Sequence, residues 1–82
     1  MKTAGVRALS AGLLASGTDS GDRVILEQAL NDKSWLVRAA AAEALGHAGD
    51  ESDIDKLRVM MDKGHPAVRY KAAAAIVRLT TQ

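Results

Sequence analysis

Glu43 and His47 stand four residues apart among strong helix formers. On a helix that spacing sets a carboxylate beside an imidazole, the arrangement of a proton pair or of half a metal site. A metal needs further ligands, and the other histidine, His65, precedes Pro66 in a different stretch and reads as a turn residue. The chain has no cysteine, which excludes thiolate catalysis, disulfides and thiolate zinc sites together and leaves the redox compartment open. The acidic run Asp50, Glu51, Asp53 and Asp55 suits the start of a helix, where the macrodipole favours carboxylates, and needs no calcium to account for it. Ser10, Ser16 and Ser34 lack a base or oxyanion arrangement, and no phosphate-binding glycine loop is present. The expectation is therefore no catalytic residue, no metal and no cofactor. What remains with recognition chemistry is Trp35, Tyr70 and the arginines, the residue types that most often anchor protein interfaces.

The elements that position these residues must be helices. The 82-residue chain is rich in Ala, Leu, Arg, Glu and Lys, with one Pro and no Phe. A chain of this size buries only about 60% of its unfolded surface. Much of its apolar content is alanine, so the core is thin and its helices must pack closely. A period of 31 residues runs through the sequence: it relates Val6, Val37 and Val68, then Arg7, Arg38 and Arg69, and it carries Asp19 to Asp50 and Asp22 to Asp53. Within one period the apolar spacing predicts two helices. The first covers about 21–31 and again 52–63; the second covers about 34–47 and again 66–79. Asp19 or Ser20, and Asp50 or Ser52, are placed as N-caps, and Pro66 fits a first helical turn. Gly17, Gly49 and Gly64 are placed to end helices in left-handed conformations. Two short antiparallel helices cannot bury an apolar face alone, so copies must stack. Ala41, Ala42, Ala72 and Ala73 then read as close-packing positions.

The string Asp-x-x-x-x-Val-Arg-x-x-Ala-Ala-x-Ala-Leu-Gly-x-x-Gly-Asp, matched by Asp32 through Asp50, resembles the short HEAT-like repeats of the phycobilisome-lyase type. The resemblance extends from about Ala4 to Leu79 and implies an all-α, right-handed solenoid of about two and a half helical-hairpin repeats. The expected division is a half repeat over 3–18, a repeat over 19–49 and a repeat over 50–80. By the same resemblance a turn aspartate and a helix arginine form a structural ladder between repeats, here Asp32 and Arg38, with Arg7 and Arg69 as the matching arginines. The third copy departs from the pattern, since Lys63 stands where Asp32 maps. No first helix precedes Val6, so the expectation is a piece of a longer solenoid, with self-association through the exposed N-terminal half repeat as the second reading. The function implied is non-catalytic protein or peptide binding on a scaffold; the alternative is an accessory subunit of a chromophore (bilin) lyase-like enzyme.

Removing the packed face of the second helices leaves Trp35, Leu36, Ala39, Ala40, Glu43 and His47 in one copy. The next copy leaves Pro66, Ala67, Tyr70, Lys71, Ala74 and Arg78. Of these, Trp35, Leu36, Ala39, Glu43, His47, Tyr70, Lys71 and Arg78 form the expected partner-binding set, an apolar centre with a charged rim. Trp35 has two readings, a staple against the preceding helix or an interface anchor. A net charge of +1 argues against a dedicated nucleic-acid surface. No apolar run reaches transmembrane length, Arg7 interrupts the one N-terminal run that resembles a signal peptide, and the expected setting is cytoplasmic.

Overall fold

The structure, a computed structural model, describes residues 20–62 and 64–81 together with positions 3, 4 and 8. The expected half repeat, with Arg7, Gly17 and the proposed self-association surface, otherwise lies outside the described residues. Four α-helices follow in order: α1 (Ser20–Ala29), α2 (Trp35–Ala48), α3 (Ile54–Met61) and α4 (Pro66–Thr80), with a 3-10 turn over Glu51–Asp53 leading into α3. No strand occurs among the described residues, and the architecture is that of an all-α solenoid of helix pairs. The most extensive packing joins the two second helices, α2 and α4; α3 packs on α4, and α1 on α2.

Leu26, Leu30, Leu45, Leu57 and Val68 anchor the core, and the space between them is filled by Ala39, Ala41, Ala42, Ala44, Ala72 and Ala75. The apolar stripes of the first helices are narrower than their sequence spacing implies. Leu26, Leu30, Leu57 and Met60 are buried, but Val24, Ile25, Val59 and Met61 face outward. Alanine contributes little transfer energy, so cohesion depends on how closely backbones approach. Gly46 sets that distance: a Cβ there would stand 3.0 Å from both Cα and Cβ of Ala75 on α4.

The helix ends correct one expectation. Gly64 has φ +94° and ends α3 in the left-handed region, but Gly49 closes α2 at φ −83° with extended backbone. Its need for glycine is spatial, because a Cβ would meet Asp53 Oδ2 and the Leu45 carbonyl oxygen at 2.6 Å. Asp53 is 0% exposed and its Oδ2 accepts a hydrogen bond from the Asp50 amide at 3.0 Å, while Asp50 Oδ1 accepts from the Ser52 amide at 2.9 Å. Across the repeat boundary Arg23 of α1 bonds Asp50 at 2.7 Å and approaches Asp53 Oδ2 at 3.9 Å and Glu27 at 3.7 Å; Lys56 of α3 lies 3.8 Å from Glu27. The Ser52 hydrogen bonds, with Arg23 behind them, hold the Asp50 carboxyl below the usual range. Glu27 moves the other way. Its hydrogen bond with Asp53 is the main cause, with burial and the Asp53 charge adding, and together they raise its carboxyl above the usual glutamate value. A protonated Glu27 carboxyl is a donor to the Asp53 carboxylate, which is the sense in which that contact raises it.

Two predictions follow from this packing. Gly46→Ala gains about 1 kcal/mol of helix propensity but places a methyl against the α4 backbone, a clash costing about 1–3 kcal/mol; urea unfolding should show a net loss, and a gain in stability would mean that the α2–α4 spacing is not tight. The proton on Glu27 contributes stability that is complete below the unfolded-state value and lost as pH rises through the elevated folded value. The urea midpoint should therefore fall with pH just above the ordinary glutamate range, and Glu27→Gln, which keeps a neutral donor, should remove that decline.

Candidate functional site

The second helices carry the chemistry because their packed sides are small and their opposite sides are not. Between α2 and α4 runs a cleft of about 240 Å³ lined by Glu43, His47, Tyr70, Lys71, Ala74, Ala75 and Arg78. Five residues of the sequence-derived binding set (Glu43, His47, Tyr70, Lys71 and Arg78) thus share one surface feature. Glu43 Oε1 and Lys71 Nζ form an ion pair directly across it. The hydrogen bond from Lys71 is the chief reason the Glu43 carboxyl is held below its usual range; burial opposes it, and the neighbouring Lys71, His47 and Arg78 side chains add to the lowering. Lys71 is thereby engaged, whereas Arg78 forms no ion pair among the described residues. Among the described residues no group of three or more His, Cys, Asp or Glu side chains is placed to hold a metal ion.

Other members of the set go elsewhere. Ala39 is buried in the core cluster, so it does not belong to the exposed surface that the sequence assigned it to; α4 passes over that side of α2. Leu36 is exposed on α2 but does not line the cleft. Trp35 is 43% exposed and lies flat on the His65 ring, with centroids 3.9 Å apart and planes 8° from parallel. The ring reaches forward to the turn that begins the next second helix. His65 itself caps α4, its Nδ1 accepting from the Ala67 amide at 3.1 Å, beside Pro66 in the first turn. The sequence held no signal for the pairing, since the two residues lie in different repeats and only the stacking of repeats brings them together.

The arginines are placed on turns. Arg38 Nη1 donates to the backbone carbonyl of Asp32 at 2.8 Å, and Asp32 Oδ1 accepts from the Ser34 amide at 2.9 Å. Arg69 Nε donates to the Met61 carbonyl at 3.1 Å. Arg69 thus satisfies the last carbonyl of α3 and Arg38 a carbonyl of the turn that follows α1; both acceptors are backbone, which explains how Arg69 works without an aspartate at position 63. Beside Arg38 lies a second cleft, of about 400 Å³, that also takes in Leu30, Asn31, Met60 and Gly64. Among the described residues no helix is long and apolar enough to cross a membrane.

The family model for HEAT repeats matches residues 4–82 of the chain. No curated protein and no solved structure matches it.

His65 performs two separable tasks. His65→Ala should lose about 1 kcal/mol from the cap and a further ~0.5–1.5 kcal/mol from the ring stack. His65→Ser keeps a capping oxygen and should recover only the first part in thermal unfolding, while Trp35 emission shifts to longer wavelength in both variants. An unchanged emission spectrum would remove the stack.

Proposed function

The chain belongs to the HEAT-repeat family, and we propose that it is a non-catalytic scaffold module that binds a protein or peptide along the second-helix face. HEAT repeats generally mediate protein–protein interactions. The observation that carries the reading to a particular surface is the α2–α4 cleft, where Glu43, His47, Tyr70, Lys71 and Arg78 converge around the exposed methyl of Ala74. A groove of this kind offers an apolar floor for a side chain and a polar rim that fixes direction, the usual layout of a peptide seat. The Glu43–Lys71 ion pair spans the two helices, so the groove keeps its width before a partner arrives, and a preorganised surface loses less entropy on binding.

Within this reading Leu36 and the outer edge of Trp35 extend the surface toward the N-terminal end of α2. Asp32, Arg38 and Arg69 hold turn geometry rather than ligand. The repeat division 19–49 and 50–80 and a cytoplasmic setting belong to the same proposal. The bilin-lyase alternative rests on the Asp32–Asp50 motif alone, and no feature of the cleft favours a tetrapyrrole over a peptide.

The test selects peptides from a random library against the whole chain and titrates the selected sequences against variants. His47→Glu sets a second carboxylate in the groove beside Glu43, and Lys71→Ala breaks the ion pair. Each should weaken the selected peptides about tenfold or more, while Val59→Glu, on the opposite side, should not. Peptides that bind all three variants equally would place the binding surface elsewhere.

A further inference from the structure

We propose that the groove between the first helices, α1 and α3, is a second binding site, and that its occupant is an extended acidic peptide segment carrying an aliphatic side chain. The groove lies between two repeats, and both of its walls belong to described residues. It shares no lining residue with the α2–α4 cleft and needs nothing from it.

Residue size keeps this groove open. The second helices close on alanines and Gly46, but α3 contains neither alanine nor glycine. Its longer side chains hold α1 and α3 apart, and the packing between these two helices is slight. Leu30 of α1 and Met60 of α3 form the floor, 3% and 9% exposed. Glu27, Asn31, Lys56 and Val59 complete a cleft of about 250 Å³. The cleft beside Arg38 shares Leu30, Asn31 and Met60 with it, so the two make one continuous groove. The floor is apolar, and its methionine adapts to the side chain that enters. Val59, 52% exposed, adds an open apolar wall.

Asn31 says how the partner's main chain lies. It lines both clefts, and its side-chain amide forms no hydrogen bond among the described residues. A carboxamide offers donors and an acceptor together, the complement of a peptide unit. Beside an apolar floor it fits an extended segment, whose side chains alternate between the floor and solvent. A helix would arrive with its main chain already paired and leave Asn31 without a partner.

Charge identifies the partner's side chains. At one end of the groove Lys56 lies 3.8 Å from Glu27, and the two charges offset each other. The other end differs. Lys33 is exposed there and forms no ion pair among the described residues. Arg38 gives one N–H to the Asp32 carbonyl at 2.8 Å, which leaves most of its five donors for other acceptors. Its Nη2 faces Gly64 across the cleft, 3.9 Å from where a Cβ would stand. Asp32 is the one carboxylate among the described lining residues, and its Oδ1 accepts the Ser34 amide at 2.9 Å. Two cations against one carboxylate leave a positive excess, which an acidic side chain completes. The Arg38 fork suits a carboxylate in particular.

The experiment titrates the whole isotope-labelled chain with two short synthetic peptides and follows its amide resonances by NMR. The peptides share a leucine in a glycine-serine chain and differ only in carrying glutamates or lysines after it. The glutamate peptide should shift the backbone amides of Asn31, Val59 and Met60 and the side-chain amide of Asn31, with an affinity that falls as salt is raised. Lys33→Glu and Val59→Glu should each weaken it about fivefold or more. Far-UV circular dichroism should not change, because both side chains are exposed. Lys71→Ala, which breaks the ion pair of the α2–α4 cleft, should leave the affinity as it was. Equal or tighter binding of the lysine peptide would overturn the proposal. So would shifts confined to the α2–α4 cleft, binding that survives Lys33→Glu, or no shift with either peptide.

Discussion

Everything in this protein depends on how close α2 and α4 can come. A core built largely of methyl groups has little area to remove from water, and dispersion between helices weakens within an ångström of separation. Gly46 against Ala75 removes that ångström, and Ala39, Ala42 and Ala72 fill the seam on either side. With the seam closed, Leu26, Leu45, Leu57 and Val68 reach one another from different helices and complete the core. The same closeness gives the outer edges of the two helices a fixed separation. Glu43 and Lys71 can therefore pair across the cleft, and Trp35 can lie on His65. The surface chemistry inherits its geometry from the smallest residue in the interface.

Polar groups secure the places where the apolar seam ends. Asp53 is wholly buried yet useful, because it closes the turn into α3 by accepting the Asp50 amide, and Gly49 leaves room for its carboxylate. Arg23, Glu27 and Lys56 surround that turn from the first helices, so one repeat is tied to the next by charge as well as by packing. On the other side Arg69 satisfies the last carbonyl of α3, and Arg38 a carbonyl in the turn after α1. The net charge of +1 conceals this segregation: carboxylates gather where α3 begins and α4 carries only cations. A surface with such a division selects partners by their charge pattern even when the total is near neutral.

In this HEAT-repeat chain the polar side chains of the two second helices converge on one cleft, and an ion pair joins α2 to α4 across it. Polar groups set around a small exposed side chain are the kind of rim that an extended segment can read.

The period, the helices over 20–29, 35–48, 54–61 and 66–80, the close packing of Ala41, Ala42 and Ala72, the cap role of Asp50 and the first-turn place of Pro66 were legible in the residues alone. Each is a local property, and apolar spacing, turn chemistry and repeat register are written along the chain. Five residues of the cleft were legible for the same reason, since a helical face is a matter of spacing. What only the tertiary structure decided is which neighbour each face meets. Ala39 and Tyr70 occupy the same register, yet one is buried and the other open, because α4 covers α2 on that side and none of the described helices covers Tyr70. Gly49 suggested a left-handed turn and turned out to make space for a carboxylate four residues on. Trp35 found its partner in the next repeat. Spacing along a chain states where a side chain points; what stands opposite it is a through-space fact, settled when the repeats close on one another.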